Sequence, residues 1–383
     1  MMARKQVSCS IKQKELSNIL AAMQPICTKK SPLDITSSIL FYFTNTELVL
    51  KSTDLEISLQ TSCPYLESTI DHEISFLITG KRIFDLVREL EETVHLTLEE
   101  NKIIVESETT KASLSIQPAD MFPSFPEKIE NLLSCNSEQM LKMLEQSLFM
   151  IPQNASNTAL NGLFFEVSET GCTMTATDGH CLNHLQNPEW KTQNSTSWLI
   201  PRRSIVELKK VIDTMVKTQS SLFIGVCSGQ LVFSGETFNF FTKLLADSYP
   251  QFKNILAYDG FVKGVINRSA LVKALRRVNS LLLQQFIATK CVFEKEFNQL
   301  VLVFKNKEVG ELRETITLDE YDGDELTMFL YAPYLLNGIQ NIDQSTITFY
   351  VKAPIRPLVC TYAITEHIKG TYIIMPVSSQ QQS

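Results

Sequence analysis

Apolar residues recur along this chain at two periods, and the two alternate. The helical period, apolar at i, i+3, i+4 and i+7, appears in LSNILAAM from Leu16, in MLKMLEQS from Met140 and in LVKALRRV from Leu271. Each stretch is followed by an apolar run of strand length: ILFYF around Phe41, LFFEV around Phe164 and CVFEK around Phe293. An aromatic residue, a turn and a second helical stretch come next, in FLITGKRIFDLVREL from Phe76, WLIPRRSIVELKKVI from Trp198 and FLYAPYLLNGIQNI from Phe329. Segments such as VHLTL, KIIVES, SLFIGV, QLVFSG and TITFYV, with Gly, Asn and Thr at their joints, read as antiparallel hairpins.

This order of elements occurs three times, which decides the fold before any motif does. Pro123, Pro250 and Pro376 close the three rounds at intervals of 127 and 126 residues, and Phe76, Trp198 and Phe329 stand 122 and 131 apart. The pattern predicts helices over 12–24, 79–91, 137–150, 201–217, 268–281 and 332–342. Pro201 and Pro333 are expected in first turns, where a missing N–H costs little. Prolines interrupt the pattern in 118–131 and 246–260. The expected architecture is α+β: three homologous domains, 1–127, 128–257 and 258–383, each strand-rich with two short helices.

A composition of 44% hydrophobic and 20% charged residues is that of a globular protein. No apolar run approaches the roughly 18–20 residues of a spanning helix. The N-terminal MMARKQVSCSIKQKEL carries charge without an apolar core, so a cytoplasmic protein with no membrane contact is expected. Nine cysteines form no CxxC pair, which argues against a disulfide framework and a zinc knuckle. The net charge of −7 speaks against phosphate binding until its distribution is examined. The predicted helices hold 15 Lys or Arg against 8 acids, +7 over 82 residues, which leaves −14 for the other 301. Basic helices gathered on one face attract phosphate while the remainder repels it. Part of that excess is ordinary helix propensity. With no zinc-finger spacing and no RNP aromatics, nucleic acid would be met at its backbone, without sequence specificity.

The densest candidate chemistry is TATDGHCLNH at 175–184, which sets Asp178, His180, Cys181 and His184 within seven residues. Read as a metal site, it suggests a metal-dependent hydrolase using Asp178, His180 and His184. Against this, the segment follows a strand, GCTMTAT, and an HxxxH pair shares one face only in a helix. The repeat sharpens the choice. KSTDLEIS places Thr53-Asp54 at 124 residues before Thr177-Asp178, with Leu55 and Glu56 where Gly179 and His180 stand. The Thr-Asp turn is therefore shared and structural, and only the Gly-His extension belongs to the second round alone. ITGKR lacks the Ser or Thr that completes a phosphate-binding loop, so neither ATPase activity nor any cofactor is expected.

TDLEIS (53–58), TGKRIFDLVREL (79–90), PADMFP (118–123), LNGLFFE (160–166), TATDGHCLNH (175–184), LIPRRSIVEL (199–208), FFTKLLADSYPQF (240–252) and YIIMPV (372–377) lie in register with the threefold repeat. Together they resemble the bacterial DNA polymerase III beta subunit family, the replication sliding clamps. The resemblance implies a non-enzymatic processivity factor, a head-to-tail homodimer of three-domain chains. Its helices line a central hole around duplex DNA and its strands form the outside. It also implies a hydrophobic groove between the second and third domains. That groove takes short peptides of the DNA polymerase III catalytic subunit, the clamp-loader complex, other polymerases and repair proteins.

Carried over position by position, the groove falls on Leu160, Thr177, Gly179, His180 and Leu182, on Pro250, Ile255 and Tyr334, and on the terminal Met375, Pro376 and Val377. DNA contact falls on Lys29 or Lys30 and on Arg202 and Arg203, with Lys81 and Arg277 added from helix position. The chain departs from the family at Cys181 and Ser378, where arginine is usual, and at Asn254, where a basic residue is common. A less basic groove follows. A clamp relative that recruits partners without encircling DNA is the other reading the resemblance allows.

Overall fold

The structure, a computed structural model, describes residues 7–27, 34–126, 128–215, 220–282 and 286–378. Lys29 and Lys30 lie outside the described residues. Among the described residues six α-helices appear where periodicity places them: α1 Gln13–Cys27, α2 Gly80–Val87, α3 Ser137–Leu148, α4 Arg202–Met215, α5 Arg268–Ser280 and α6 Ala332–Asn341. Two C-terminal ends depart most from expectation. Helix α1 runs past Pro25 to Cys27. Helix α2 stops at Val87, where Nε2 of Gln13 donates to the Val87 carbonyl at 2.8 Å and takes an acceptor the helix leaves unused. Pro201 is not in a first turn: it ends the strand Thr196–Pro201, and α4 begins one residue later.

Each round runs strand, helix, four strands, helix, three strands, with an extra two-residue strand, Glu67–Ser68, in the first. Glu47–Thr53 and Ile57–Pro64 alternate buried and half-buried positions because one face of an antiparallel sheet covers the core. The chain packs as two compact units, Met1–Leu141 with Arg203–Leu244 and Lys142–Arg202 with Leu245–Ser383. The first holds a five-stranded and an eight-stranded sheet, the second a twelve-stranded sheet. Neither unit follows a single round of the repeat, because the last strand of one round closes onto the round before it. Phe238–Thr242 pairs with Ile57–Pro64 in the first unit, and Lys369–Ile374 pairs with Cys181–Asn187 in the second.

The first unit is cored by a stack of Phe41, Phe43 and Phe76, with ring centroids 5.3–6.3 Å apart. In the second, α6 is held close to its sheet by Gly338. A Cβ there would come within 1.9 Å of the Tyr372 ring, so no other residue fits. Among the described residues no helix is long and apolar enough to cross a membrane.

Candidate functional site

The Thr-Asp turn is built twice from the same bonds. In the first unit, Asp54 Oδ1 accepts the amides of Glu56 and Ile57 at 2.9 and 2.8 Å, and Thr53 Oγ1 accepts that of Leu55 at 3.0 Å. In the second, Asp178 Oδ1 accepts the amides of His180 and Cys181 at 2.8 and 2.7 Å, and Thr177 Oγ1 accepts that of Gly179 at 3.1 Å. The central position is left-handed in both, Leu55 at φ 75° and Gly179 at φ 91°. The incoming strand is anchored alike: Lys243 N donates to Glu56 O, and Met375 N to His180 O, both at 2.9 Å. A side chain that satisfies two loop amides is the physical reason for Asp at this place.

Around the second turn the structure gathers most of the expected groove. Leu160, Thr177 and Leu182 are buried, while Tyr334, Met375, Pro376 and Val377 are half-exposed beside the exposed Gly179 and His180. Gly179 faces Leu160, whose Cδ1 lies 3.9 Å from where a Cβ would stand. Leu182 packs with Ala159, Tyr249, Phe252 and Ile373, and Ile255 lies against the same cluster. Pro250, half-exposed, follows Tyr249, whose ring stacks on Phe164 at 4.8 Å. The rings of His180 and Tyr334 are 5.4 Å apart, and Val377 N donates to Phe329 O at 2.9 Å. The result is an apolar floor with an aromatic and proline rim.

Sequence reasoning missed two rings on that rim. Tyr331 lies 4.9 Å from Tyr334, and Phe286, 40% exposed, lies 4.3 Å from Tyr331 and 6.3 Å from Tyr334. The YAPY spacing at the start of α6 was the available signal for Tyr331. Phe286, distant in sequence, had none.

The cluster is not arranged for metal. Both amide bonds of its turn fall on Asp178, His180 leans on Tyr334, and His184 is buried with Nδ1 2.8 Å from Thr175 Oγ1. Burial first, and then the charge of Lys253, lower the His184 pKa to about 4, so this ring is neutral near pH 7. Cys181 is buried and its thiol is pushed far up by burial, which leaves no nucleophile there. Among the described residues no three His, Cys, Asp or Glu groups come together to hold an ion.

The cations expected to meet DNA are mostly engaged. Arg203 bonds through Nη1 to the buried Asp54 carboxylate and through Nη2 to Pro25 O at 3.4 Å. Arg202 Nε donates to Ile151 O at 2.9 Å. Arg277 forks onto Glu314, with Nη2 to Oε2 at 2.8 Å. Lys81 is exposed on α2.

Three family models match in succession: the N-terminal domain of the DNA polymerase III beta subunit over residues 7–126, its central domain over 134–251 and its C-terminal domain over 254–378. The chain is 25% identical to the beta sliding clamp of Pseudomonas putida over 345 residues, 88% of this chain and 91% of that one. It is 23% identical to the beta sliding clamp of Bacillus subtilis over 336 residues, 85% of this chain and 87% of that one. The crystal structure of the DNA polymerase beta subunit of Streptococcus pyogenes superposes with a TM-score of 0.88 at 20% identity, covering 97% of this chain and 100% of that one.

Proposed function

The chain belongs to the DNA polymerase III beta subunit family, the non-catalytic DNA sliding clamps, and on that premise we propose that two copies close head to tail around duplex DNA. Each copy contributes three domains, 1–127, 128–257 and 258–383. The ring, working in the cytoplasm, tethers the DNA polymerase III catalytic subunit, its loader, and other polymerases and repair proteins through the groove around Gly179 and His180. The metal-hydrolase reading falls away, since neither the family nor the geometry supports it.

The observation that carries ring closure is an unmatched pair of strand edges. Within the chain, the last strand of the second and of the third round covers the strand that leaves the Thr-Asp turn of the preceding round. Two edges remain. The last strand of the first round, Thr110–Ser115, ends the five-stranded sheet. In the third round, Gly310–Thr317 pairs with Gln299–Asn306 on one side, while on the other only Leu318, Glu320 and Tyr321 meet Val262–Asn267. Such edges seek partners, and two copies placed head to tail satisfy both.

The turn itself recurs a third time beside this edge. Asn306 Oδ1 accepts the amides of Glu308 and Val309 at 2.8 and 2.9 Å. Lys81, Arg203 and Tyr334 each stand five residues after the aromatic landmark of their round. Lys81 thus approaches Glu308 of the second copy as Arg203 approaches Glu56, 4.0 Å away within the chain. DNA contact by Lys29, Lys30, Lys81, Arg202, Arg203 and Arg277 is diffuse and made to phosphates, which permits sliding while topology gives retention.

Light scattering over a dilution series tests the ring. The expected mass is twice the 43.4 kDa of one chain, held on dilution. A single chain at every concentration overturns ring closure.

A further inference from the structure

The two joints within the chain carry the same turn and different counter-charges. Asp54 uses one oxygen for two amides and the other for the Arg203 guanidinium. Asp178 uses one oxygen for two amides, and among the described residues its Oδ2 has no hydrogen-bond or ion-pair partner. The position that holds Arg203 in the first joint holds Tyr334 in the second. Asp54 is 4% exposed, whereas Asp178 is half-buried at the mouth of the groove.

The surroundings of Asp178 suit a cation, and among the described residues none is paired with it. The rings of His180 and Tyr334 stand together, with Tyr331 and Phe286 continuing the aromatic surface. Burial raises the Tyr334 hydroxyl to about 12, helped by the negative charge of Asp178, so this ring stays neutral. Cys181, where the family usually has arginine, offers no charge, and Lys253 is held by Glu166 at 3.0 Å. A carboxylate beside aromatic faces is the environment a guanidinium recognises, by forked hydrogen bonds and by stacking.

We infer that the peptide docking in this groove carries an arginine, and that its guanidinium takes the free oxygen of Asp178 as Arg203 takes that of Asp54. This rests on the peptide-groove reading above. The groove of this chain thereby selects basic partner segments, with the cation supplied by the partner.

The probes are fluorescent octapeptides of Ser and Gly ending in Leu-Phe, with one arginine, citrulline or glutamate walked through the upstream positions. Citrulline keeps the shape of arginine without its charge. At one position the arginine peptide is expected to bind about tenfold tighter than its citrulline twin, in a salt-dependent way. Asp178→Asn should erase that advantage. Asn306 shows that an asparagine holds this type of turn through the same two amide bonds, so the variant keeps its fold. Tyr334→Arg, which rebuilds the first joint, should also erase it. Equal binding of arginine and citrulline peptides overturns the inference and leaves the groove standing. An arginine advantage that survives Asp178→Asn overturns the role of Asp178. Binding by none of the peptides overturns both the inference and the groove.

Discussion

The joint around Asp54 and the joint around Asp178 descend from one repeat, pair their strands in the same register and end in opposite conditions. In the first, Leu55 fills the turn, Arg203 neutralises the carboxylate, and Gln60 occupies the strand position opposite Asn239. In the second, glycine leaves the turn bare, Tyr334 replaces the arginine, and the matching strand position opposite Thr371 is the buried His184. One joint is closed by its own side chains, the other leaves an apolar floor open to a visitor. On the proposed reading, a fold that repeats keeps one copy of a seam for stability and turns the next into a recognition surface, at a cost of a few side chains.

The largest effect should come from unsealing the first joint. Arg203→Met leaves Asp54 buried without its cation, and about 3 kcal/mol of stability should be lost from the first unit. Burial alone would raise the Asp54 carboxyl, but the amide of Ile57, the Arg203 guanidinium and the amide of Glu56 together hold it below its ordinary 3.8. The stabilisation is therefore present above that value and fades as pH falls through the lower folded-state value. Hydrogen exchange at residues 57–64, compared at pH 7 and pH 3, reads both effects. Unaltered protection at pH 7 breaks the comparison.

Next comes the buried histidine that only the second joint carries. With the His184 pKa at about 4 in the folded chain, the unfolded chain binds more protons between pH 6.5 and 4. Stability of the second unit should fall as pH is lowered through that window, by up to about 3 kcal/mol. His184→Gln, which copies Gln60, should flatten the slope in denaturant titrations at pH 7 and 4.5. A slope unchanged by the substitution assigns it to other groups.

The smallest effect sharpens the comparison at the groove itself. Gly179→Leu copies Leu55, which holds φ 75° in the same turn, so the fold should lose only about 1 kcal/mol. Peptide affinity should drop about tenfold, near 1.4 kcal/mol, because the side chain stands over Leu160. Anisotropy titration at equal peptide concentration decides it, and an affinity that does not move removes this turn from the groove wall.

Several elements were legible because their signals are short-ranged. Apolar spacing located all six helices, and the Thr-Asp turn was readable by setting KSTDLEIS against TATDGHCLNH. The end of α2 was not, since the side chain that takes its carbonyl, Gln13, lies 74 residues away. Nor was the ion pair of Arg203 legible in LIPRRSIVEL, since its carboxylate partner, Asp54, is 149 residues distant. Phe286 joins the aromatic rim only because the chain returns to Tyr331 after four intervening strands and a turn.

By itself, then, the amino-acid order settled what neighbours in the chain can enforce: the threefold period, the helices with their basic surplus, and the amide bonds that hold each turn. Tertiary structure alone decided which carboxylate meets a cation, which strand edges are covered and which apolar surface stays open. The physical reason is range. Periodicity and loop hydrogen bonds act within a few residues, whereas ion pairing and sheet-edge pairing require segments that only the folded topology brings together.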